Sequence, residues 1–177
     1  MFTNQKNEKM KQIKKFLAVA FVLFAFSAAT FAQLTASATA SAVIIAPLSI
    51  AKTVDLHFGT AWRGATAGTV VLTPAGARSA TGGVTLSALA PAATVASFTI
   101  SGEPTRAITI TLPSEDVTIT DGTNNMTVNT FVGNPAGGAY TLIGATTTLL
   151  VGATLNVAAN QASGSYSGSF NVSVNYN

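Results

Sequence analysis

The single histidine of the chain, His57, follows Asp55 by two residues, and no other imidazole is available to pair with a carboxylate. Because alternate residues of a β-strand point to the same face, a strand here would direct both side chains to one side, as in part of a catalytic or metal-binding set. A zinc site needs three or four protein ligands, and the chain has no cysteine and no second histidine. The pair is therefore interpreted as an exposed pair on the solvent face of a strand.

Acidic residues form a second group that could do chemistry, beginning with the adjacent Glu115 and Asp116. Adjacent residues on a strand face opposite sides, so these two carboxylates cannot converge as an acid–base pair. A solvated loop is the simpler interpretation, and a weak calcium site completed by Asp121 is the alternative. Glu103 is expected to form a salt bridge with Arg106 across a turn.

The rest of the sequence contains none of the short motifs that mark common enzymes. There is no G-x-S-x-G nucleophile elbow, no phosphate-binding loop and no G-x-G-x-x-G dinucleotide fingerprint. Trp62 beside Arg63 offers a stacking surface for a sugar, although a lone tryptophan more often fills a core. The sequence therefore predicts a protein that is not an enzyme and that holds no metal and no cofactor.

The first 32 residues have the three regions of a secretory signal peptide. Five lysines precede an apolar run, Phe16 to Phe26, and the small-residue stretch SAATFA follows it. Cleavage is expected after Ala32, with Ala29 as the second choice, and translation starts at Met1 or at Met10. An uncleaved anchor helix is the alternative, but the run is shorter than the roughly 20 residues of a membrane span. We expect a protein that is secreted or held at the cell surface and that meets a membrane only through its signal peptide.

Removal of the leader changes the chain from basic to slightly acidic. The whole sequence carries nine basic and six acidic residues, whereas residues 33–177 keep four basic and five acidic ones, a net charge of −1 with histidine neutral. Those nine are Lys52, Arg63, Arg78, Arg106, Asp55, Glu103, Glu115, Asp116 and Asp121. There is no basic patch for nucleic acid or for an anionic membrane surface. A surface so poor in charge is typical of close association or of exposure outside the cell.

Apolar residues alternate with small polar ones through most of residues 33–177, and helical periodicity is absent. The alternation predicts strands that include residues 68–73, 84–89, 97–101, 108–112 and 149–157. Asp121-Gly122 predicts a hairpin turn, and Gly152 is expected to mark a kink or bulge. About nine or ten short strands predict an all-β fold, an antiparallel β-sandwich of immunoglobulin-like type, with one edge that could be incomplete.

Nine consecutive even-numbered residues from Leu34 to Ile50 are apolar, and their odd-numbered neighbours are Thr or Ser as far as Ser41. This alternation predicts a long strand that bends or reaches a sheet edge at Pro47, which has no N–H to donate. We therefore predict an N-terminal extension over residues 33–41 and a single sandwich domain over residues 42–177.

The last fourteen residues, GSYSGSFNVSVNYN, alternate just as regularly. Their large apolar side chains all fall on even positions, whereas serine and asparagine occupy the odd positions. A slip of one residue would bury the polar set, so the register of a strand over Gly164–Asn177 is strongly specified. Two alternatives remain for its neighbour, namely Leu34–Ala42 of another copy and Ala42–Ile50 of the same chain.

These patterns resemble two groups of bacterial proteins. The pieces IAPLSI, DLHFGT, GARSATGGVTL, FTISGEP, ITLP, VGATLNV and GSYSGSFNVSVNYN resemble the family catalogued as domain of unknown function 4402, over nearly all of the mature chain. The final strand, with Tyr176 in the penultimate position and Gly164 fourteen residues from the end, resembles the end of chaperone–usher fimbrial subunits.

The fimbrial resemblance implies a function in assembly. Such subunits are sandwiches that lack a last strand, so a groove beside the C-terminal strand is filled first by a periplasmic chaperone and then by the N-terminal extension of the next subunit. An outer-membrane usher and homo- or hetero-polymeric neighbours are the other partners that it implies. The implied groove residues are Gly164, Tyr166, Phe170, Val172, Val174 and Tyr176, and the implied donor residues are Leu34, Ala36, Ala38, Ala40 and Ala42. The alternative is a secreted monomeric module that binds a glycan or a protein.

Overall fold

The structure is a computed structural model, and it describes residues 9–15, 17 and 33–177. The chain divides into two compact units, Met1–Ala42 and Val43–Asn177. In the first unit, residues 9–15 are helical, whereas residues 33–42 have no regular secondary structure and are all exposed. Among the described residues no helix is long and apolar enough to cross a membrane. The expected cleavage site of the signal peptide at Ala32 lies outside the described residues.

The second unit consists of strands and turns. It has fourteen strands, of which ten contain at least four residues. They are β1 (Ser49–Val54), β2 (His57–Phe58), β3 (Ala61–Trp62), β4 (Gly68–Leu72), β5 (Arg78–Gly82), β6 (Thr85–Leu86), β7 (Ala93–Thr94), β8 (Ala96–Ser101), β9 (Ala107–Thr111), β10 (Val117–Thr120), β11 (Asn125–Asn134), β12 (Gly138–Thr141), β13 (Thr146–Val157) and β14 (Ser173–Tyr176).

The strands form antiparallel sheets. The largest has seven strands, with the order β1-β8-β13-β11-β10 and with β4 and β5 attached beside β13. A second sheet has the order β12-β9-β14, and two short pairs, β2-β7 and β3-β6, complete the unit. The predicted all-β antiparallel fold is confirmed, and so is the hairpin at Asp121-Gly122, where β10 pairs with β11.

The long strand β13 organises the large sheet because it exchanges partners along its length. Its first half pairs with β8 and its second half with β4, while β11 follows its other side. Gly152 lies at the exchange, where an added Cβ would collide with the backbone of Leu72 and Thr73 at the end of β4. The bulge expected at Gly152 lies instead in β11, between Asn129 and Val132.

Two clusters of buried apolar side chains form the core. The first joins β8, β9 and β13, and it therefore holds the three-stranded sheet against the large one. The second lies on the other half of the large sheet, under the short strands β3 and β6. The guanidinium of Arg78 ties the segments that flank these short strands together. It donates to the carbonyl oxygens of Phe58 (2.8 Å), Thr60 (3.2 Å) and Ser87 (2.6 Å).

Two predicted strands are wrong in extent. The strand over Leu34–Ile50 exists only from Ser49, because residues 33–48 have no regular secondary structure. Alanine methyl groups bury little apolar area, so pairing within the chain would stabilise such a strand only weakly. The strand over residues 84–89 is reduced to Thr85–Leu86.

Candidate functional site at the C-terminal edge

The C-terminal strand β14 lies at one edge of its sheet. It pairs with β9 in the register Ser173↔Thr111 to Tyr176↔Ile108, and within residues 33–177 no strand pairs with its other side. Alternate residues of an antiparallel strand direct their backbone groups to the same neighbour. The N–H of Asn177 donates to the Ala107 carbonyl oxygen at 3.2 Å, so the N–H and C=O groups of Val174 and Tyr176 face the open edge.

The C-terminal segment changes sheets before it reaches β14. Ser167 forms an isolated antiparallel bridge with Thr120 of β10, with both N–H···O distances at 2.9 Å. Gly168 follows, and a Cβ at that position would lie 2.6 Å from the Thr118 carbonyl oxygen. The chain then crosses to β9 of the other sheet. A single strand over Gly164–Asn177 is therefore wrong, since only Ser173–Tyr176 is a strand.

Four of the six predicted groove residues come together. Phe170, Val172, Val174 and Tyr176 are half-buried and pack against the first core cluster, whereas their odd-numbered neighbours are exposed. The Phe170 ring lies edge-on to Phe98, with ring centroids 6.3 Å apart, and 4.9 Å from the Phe131 ring. The open edge therefore carries an apolar stripe that its own chain covers only in part.

The other two predicted groove residues lie elsewhere, near the β10–β11 turn. The Tyr166 hydroxyl donates to the Ala162 carbonyl oxygen (2.8 Å) and accepts from Gln161 Nε2 (3.0 Å). An added Cβ on Gly164 would lie 3.0 Å from Asp121 Oδ2. The sheet change at Gly168 separates both residues from β14.

The Tyr176 hydroxyl joins the end of the chain to the segment before β1. It accepts from the Glu103 N–H at 2.6 Å and donates to the Ala46 carbonyl oxygen at 3.0 Å. Glu103 Oε2 in turn accepts from the Ala46 N–H at 3.0 Å. The predicted salt bridge between Glu103 and Arg106 is thus replaced by a carboxylate contact to backbone, and only a long backbone bond of 3.4 Å joins that pair.

These three residues, which we call the Tyr176 clamp, hold both backbone groups of Ala46. The sequence did not predict the clamp, because Tyr176 and Ala46 are 130 positions apart in the chain. Its one signal in the sequence is a tyrosine at the end of an apolar face, because the tyrosine ring packs as an apolar group while its hydroxyl needs a hydrogen-bond partner. Immediately before the clamp, Val43 and Ile44 are 81% and 93% exposed.

The residues of the predicted donor strand are also exposed. Leu34 is 97% exposed, and Ala36, Ala38, Ala40 and Ala42 are exposed as well. From Gln33 to Ala51 the sequence carries no charged side chain.

The pair of Asp55 and His57 does not share a strand face, because β1 ends at Val54 and β2 begins at His57. Both residues are exposed, as expected, but each has its own local partner. His57 Nδ1 accepts from the Gly59 N–H at 2.8 Å, and Asp55 Oδ1 lies 2.5 Å from Lys52 Nζ.

The acidic residues also remain apart. Asp116 accepts from Asn129 Nδ2 at 3.1 Å, whereas Asp121 caps the β10–β11 turn by accepting from the N–H groups of Thr123 (2.8 Å) and Asn124 (2.7 Å). Hydrogen bonds from Asn124, through its backbone and then its side chain, are the main cause that lowers the pKa of Asp121 to about 2. In the described residues no group of three or more His, Cys, Asp or Glu side chains could hold a metal ion.

Trp62 is 57% exposed at the end of β3, where it pairs with Thr85. The neighbouring Arg63 already has a hydrogen-bond partner within the chain, since its Nη1 donates to the Asn160 carbonyl oxygen at 2.7 Å.

The fold thus defines a β-sandwich unit with an unpaired C-terminal edge. Residues 48–176 match the family described as domain of unknown function DUF4402, and the chain belongs to that family. No curated protein and no solved structure matches the chain. The match begins two residues after Ala46 and ends at Tyr176, so it covers the whole edge but not the exposed segment before the clamp.

Proposed function

We propose that this protein is an exported structural subunit that assembles at the cell surface by β-strand complementation. The observation that carries the proposal is the unpaired edge of β14 above a half-buried apolar stripe. In β-strand addition, backbone groups supply attachment and alternate side chains supply specificity. The edge offers the backbone groups of Val174 and Tyr176, and the stripe offers the contacts for alternate apolar side chains.

The proposed donor is the exposed N-terminal segment of a second copy. Residues 33–45, if extended at about 3.3 Å per residue, would reach about 40 Å, which is several times the length of the four-residue strand β14. The segment has no charge to bury. It places Leu34, four alanines and Ile44 on one face, in the alternation that a strand in the apolar stripe requires.

Ile44 is the main apolar anchor in this proposal. Full burial of an Ile or Leu side chain contributes about 1.5–3 kcal/mol, whereas a methyl group contributes about 0.8 kcal/mol. Ile44 and Leu34 would therefore each contribute about two to four times as much as a single alanine of the segment. The Tyr176 clamp holds Ala46, so the C-terminal end of the donor segment is attached at a fixed point on its own domain.

An open apolar edge is also an aggregation hazard before assembly. We therefore propose that a periplasmic chaperone covers β14 first and that an outer-membrane usher delivers the subunit to a homo- or hetero-polymer. Export itself rests on the signal peptide that residues 1–32 predict.

The test compares Ile44→Asp with Ile143→Asp. Both isoleucines are strongly exposed, at 93% and 85%, so neither change should lower the stability of the monomer by more than about 0.5 kcal/mol. Ile44→Asp should abolish assemblies that resist detergent without boiling, and Ile143→Asp, in the loop after β12, should leave them intact. Wild-type protein that stays monomeric at every concentration, or Ile44→Asp protein that assembles normally, would contradict the proposal.

A further inference from the structure

A shallow cleft of about 480 Å³ lies on the outer side of the seven-stranded sheet, where β4, β13 and β11 meet the loop after β13. Its polar lining consists of Thr69, Thr127, Asn156, Asn125 and Gln161, and the exposed Ala67 and Ala158 add a little apolar surface. Met126 and Val157 also border the cleft, but their side chains pack in the second core cluster. Ligand sites are typically concave, mostly apolar and supplied with a few convergent polar groups, in volumes of about 300–1,000 Å³. The cleft is within this range and is remote from β14 in the sheet order.

Three of the polar residues form one row across neighbouring strands. Thr127 of β11 pairs with Asn156 of β13, and Asn156 pairs with Thr69 of β4. Two spacings between strands make this row about 10 Å long. Since all three strands are paired on both sides, with β4 also paired to β5, the row presents side chains and no free backbone edge.

Hydrogen bonds within the protein orient the two amides at the cleft. Asn156 Nδ2 donates to the Thr127 carbonyl oxygen (3.3 Å) and to Asn129 Oδ1 (3.1 Å), and Gln161 Nε2 donates to the Asn125 carbonyl oxygen (3.3 Å) and to the Tyr166 hydroxyl (3.0 Å). The two amide oxygens receive no hydrogen bond from any residue in the part of the chain that the structure describes. These hydrogen bonds fix the two amide oxygens in place before a ligand binds, which lowers the entropic cost of binding.

Two further groups at the cleft are unused. The Thr127 hydroxyl and the Asn125 side-chain amide make no hydrogen bond to other described residues, and no buried side-chain polar atom lacks a partner in that part of the chain. These groups therefore reach solvent. Together with the two amide oxygens, they offer both donors and acceptors to a ligand.

None of the residues that line the cleft is charged. Arg63 donates to the carbonyl oxygen of Asn160, which precedes Gln161, and is not part of the lining. A phosphate, a sulfate or an acidic sugar would find no charge-assisted hydrogen bond here. A peptide could not add a strand, because the backbone groups beneath the cleft are already paired.

We propose that this cleft binds a neutral saccharide. Ligand hydroxyls donate to the amide oxygens of Asn156 and Gln161 and accept from the Asn125 amide, while the C–H face of a sugar ring rests on the exposed methyl groups of Ala67 and Ala158. The cleft contains no residue of β14, so sugar binding does not depend on assembly by strand complementation.

The test uses isotope-labelled protein and nuclear magnetic resonance of the side-chain amides. The probes are cellotetraose, maltotetraose, mannotetraose and chitotetraose, with galacturonate oligomers and a Gly-Ser peptide as comparisons. We expect at least one neutral oligosaccharide to shift the Asn156, Gln161 and Asn125 amide signals saturably, with an affinity that is unchanged between about pH 5 and 8, where none of the lining groups titrates. The proposal is overturned if no neutral sugar does so, or if the acidic oligomer or the peptide binds more tightly.

Variants separate binding from folding. Thr127→Val keeps a β-branched shape and removes one unused hydroxyl, so it should weaken sugar binding roughly 3- to 10-fold without loss of the fold. Thr99→Val is the matched control, because Thr99 is also half-buried in the seven-stranded sheet and lies outside the cleft. Equal affinity for Thr127→Val and Thr99→Val would overturn the assignment of the site. Asn125→Ala, an exposed change, should weaken binding by a similar factor.

Discussion

Replacement of Phe170 by alanine tests whether the C-terminal segment is part of the core. A fully buried phenylalanine removes about 150–250 Å² from water. Phe170 is partly buried, and we take roughly two thirds of that area as removed from water. At about 25 cal/mol/Å², the transfer free energy is then about 2.5–4 kcal/mol. The Cβ that remains lowers this figure, and the lost ring contacts with Phe98 and Phe131, at about 0.5–1.5 kcal/mol each, raise it again. We expect Phe170→Ala to lower the free energy of unfolding by about 3 kcal/mol, toward the lower end of the range for buried phenylalanines.

The measurement is urea-induced unfolding followed by circular dichroism, at concentrations where the protein is monomeric. Phe170→Leu keeps most of the apolar volume and should cost less than about 1.5 kcal/mol. Val132→Ala, at a side chain that is 49% exposed, should change the free energy by no more than about 0.5 kcal/mol. If Phe170→Ala were as mild as Val132→Ala, the packing of the C-terminal segment against the core would be refuted.

Three further predictions concern stability. Tyr176→Phe should lower the free energy of unfolding by about 1–2 kcal/mol, because it removes the clamp hydroxyl, and it should speed limited proteolysis just before Ala46. Gly152→Ala should cost about 3 kcal/mol or more through a backbone collision, whereas Gly144→Ala, with nothing within 4 Å of the new methyl, should be nearly neutral in the same unfolding assay. Since the pKa of Asp121 is lowered in the folded state to about 2, its contribution to stability is present above the unfolded-state pKa, near 3.9. That contribution should be lost as pH falls from about 4 to about 2, and unfolding midpoints of Asp121→Asn should lack this loss.

The strands that the sequence predicted well are those in which large apolar residues alternate with small polar ones. Residues 97–101 and 108–112 are of this kind; residues 97–101 lie in β8, residues 108–111 lie in β9, and both strands bury their apolar face in the first core cluster. The even–odd pattern of the C-terminal segment likewise agrees with its burial as far as Tyr176. Alternation was misleading between Leu34 and Ala46, because alanine fits the pattern of a strand without the apolar area that stabilises one.

Features that depend on which strands pair were beyond the sequence. Alternation describes the two faces of a strand but does not identify its neighbours. The positions of Asn156 and Thr127 in the sequence therefore did not predict that they form a row on the outer face of the seven-stranded sheet. The sheet change at Gly168 depends on a close approach to β10 that only the fold creates. The Tyr176 clamp, too, requires the two ends of the domain to meet.

Cysteine cross-linking between copies tests strand complementation most directly, because the chain has no cysteine of its own. One population would carry Asn175→Cys, at an exposed position of β14, and the other Thr39→Cys in the N-terminal segment. A disulfide requires Cα atoms about 4.4–6.8 Å apart. Ser79→Cys on β5, an exposed position on an edge strand of the other sheet, is the control for Asn175→Cys.

If copies assemble by strand complementation, mild oxidation of the mixed populations should link Thr39→Cys to Asn175→Cys in assembled protein and not to Ser79→Cys. Moving the donor cysteine from residue 39 to residue 37 or 41 should change the yield of the cross-link to Asn175→Cys sharply, because a paired strand has a single register. An absence of cross-links between copies, equal cross-linking to Ser79→Cys, or linkage only within a single doubly substituted chain would contradict assembly at the β14 edge.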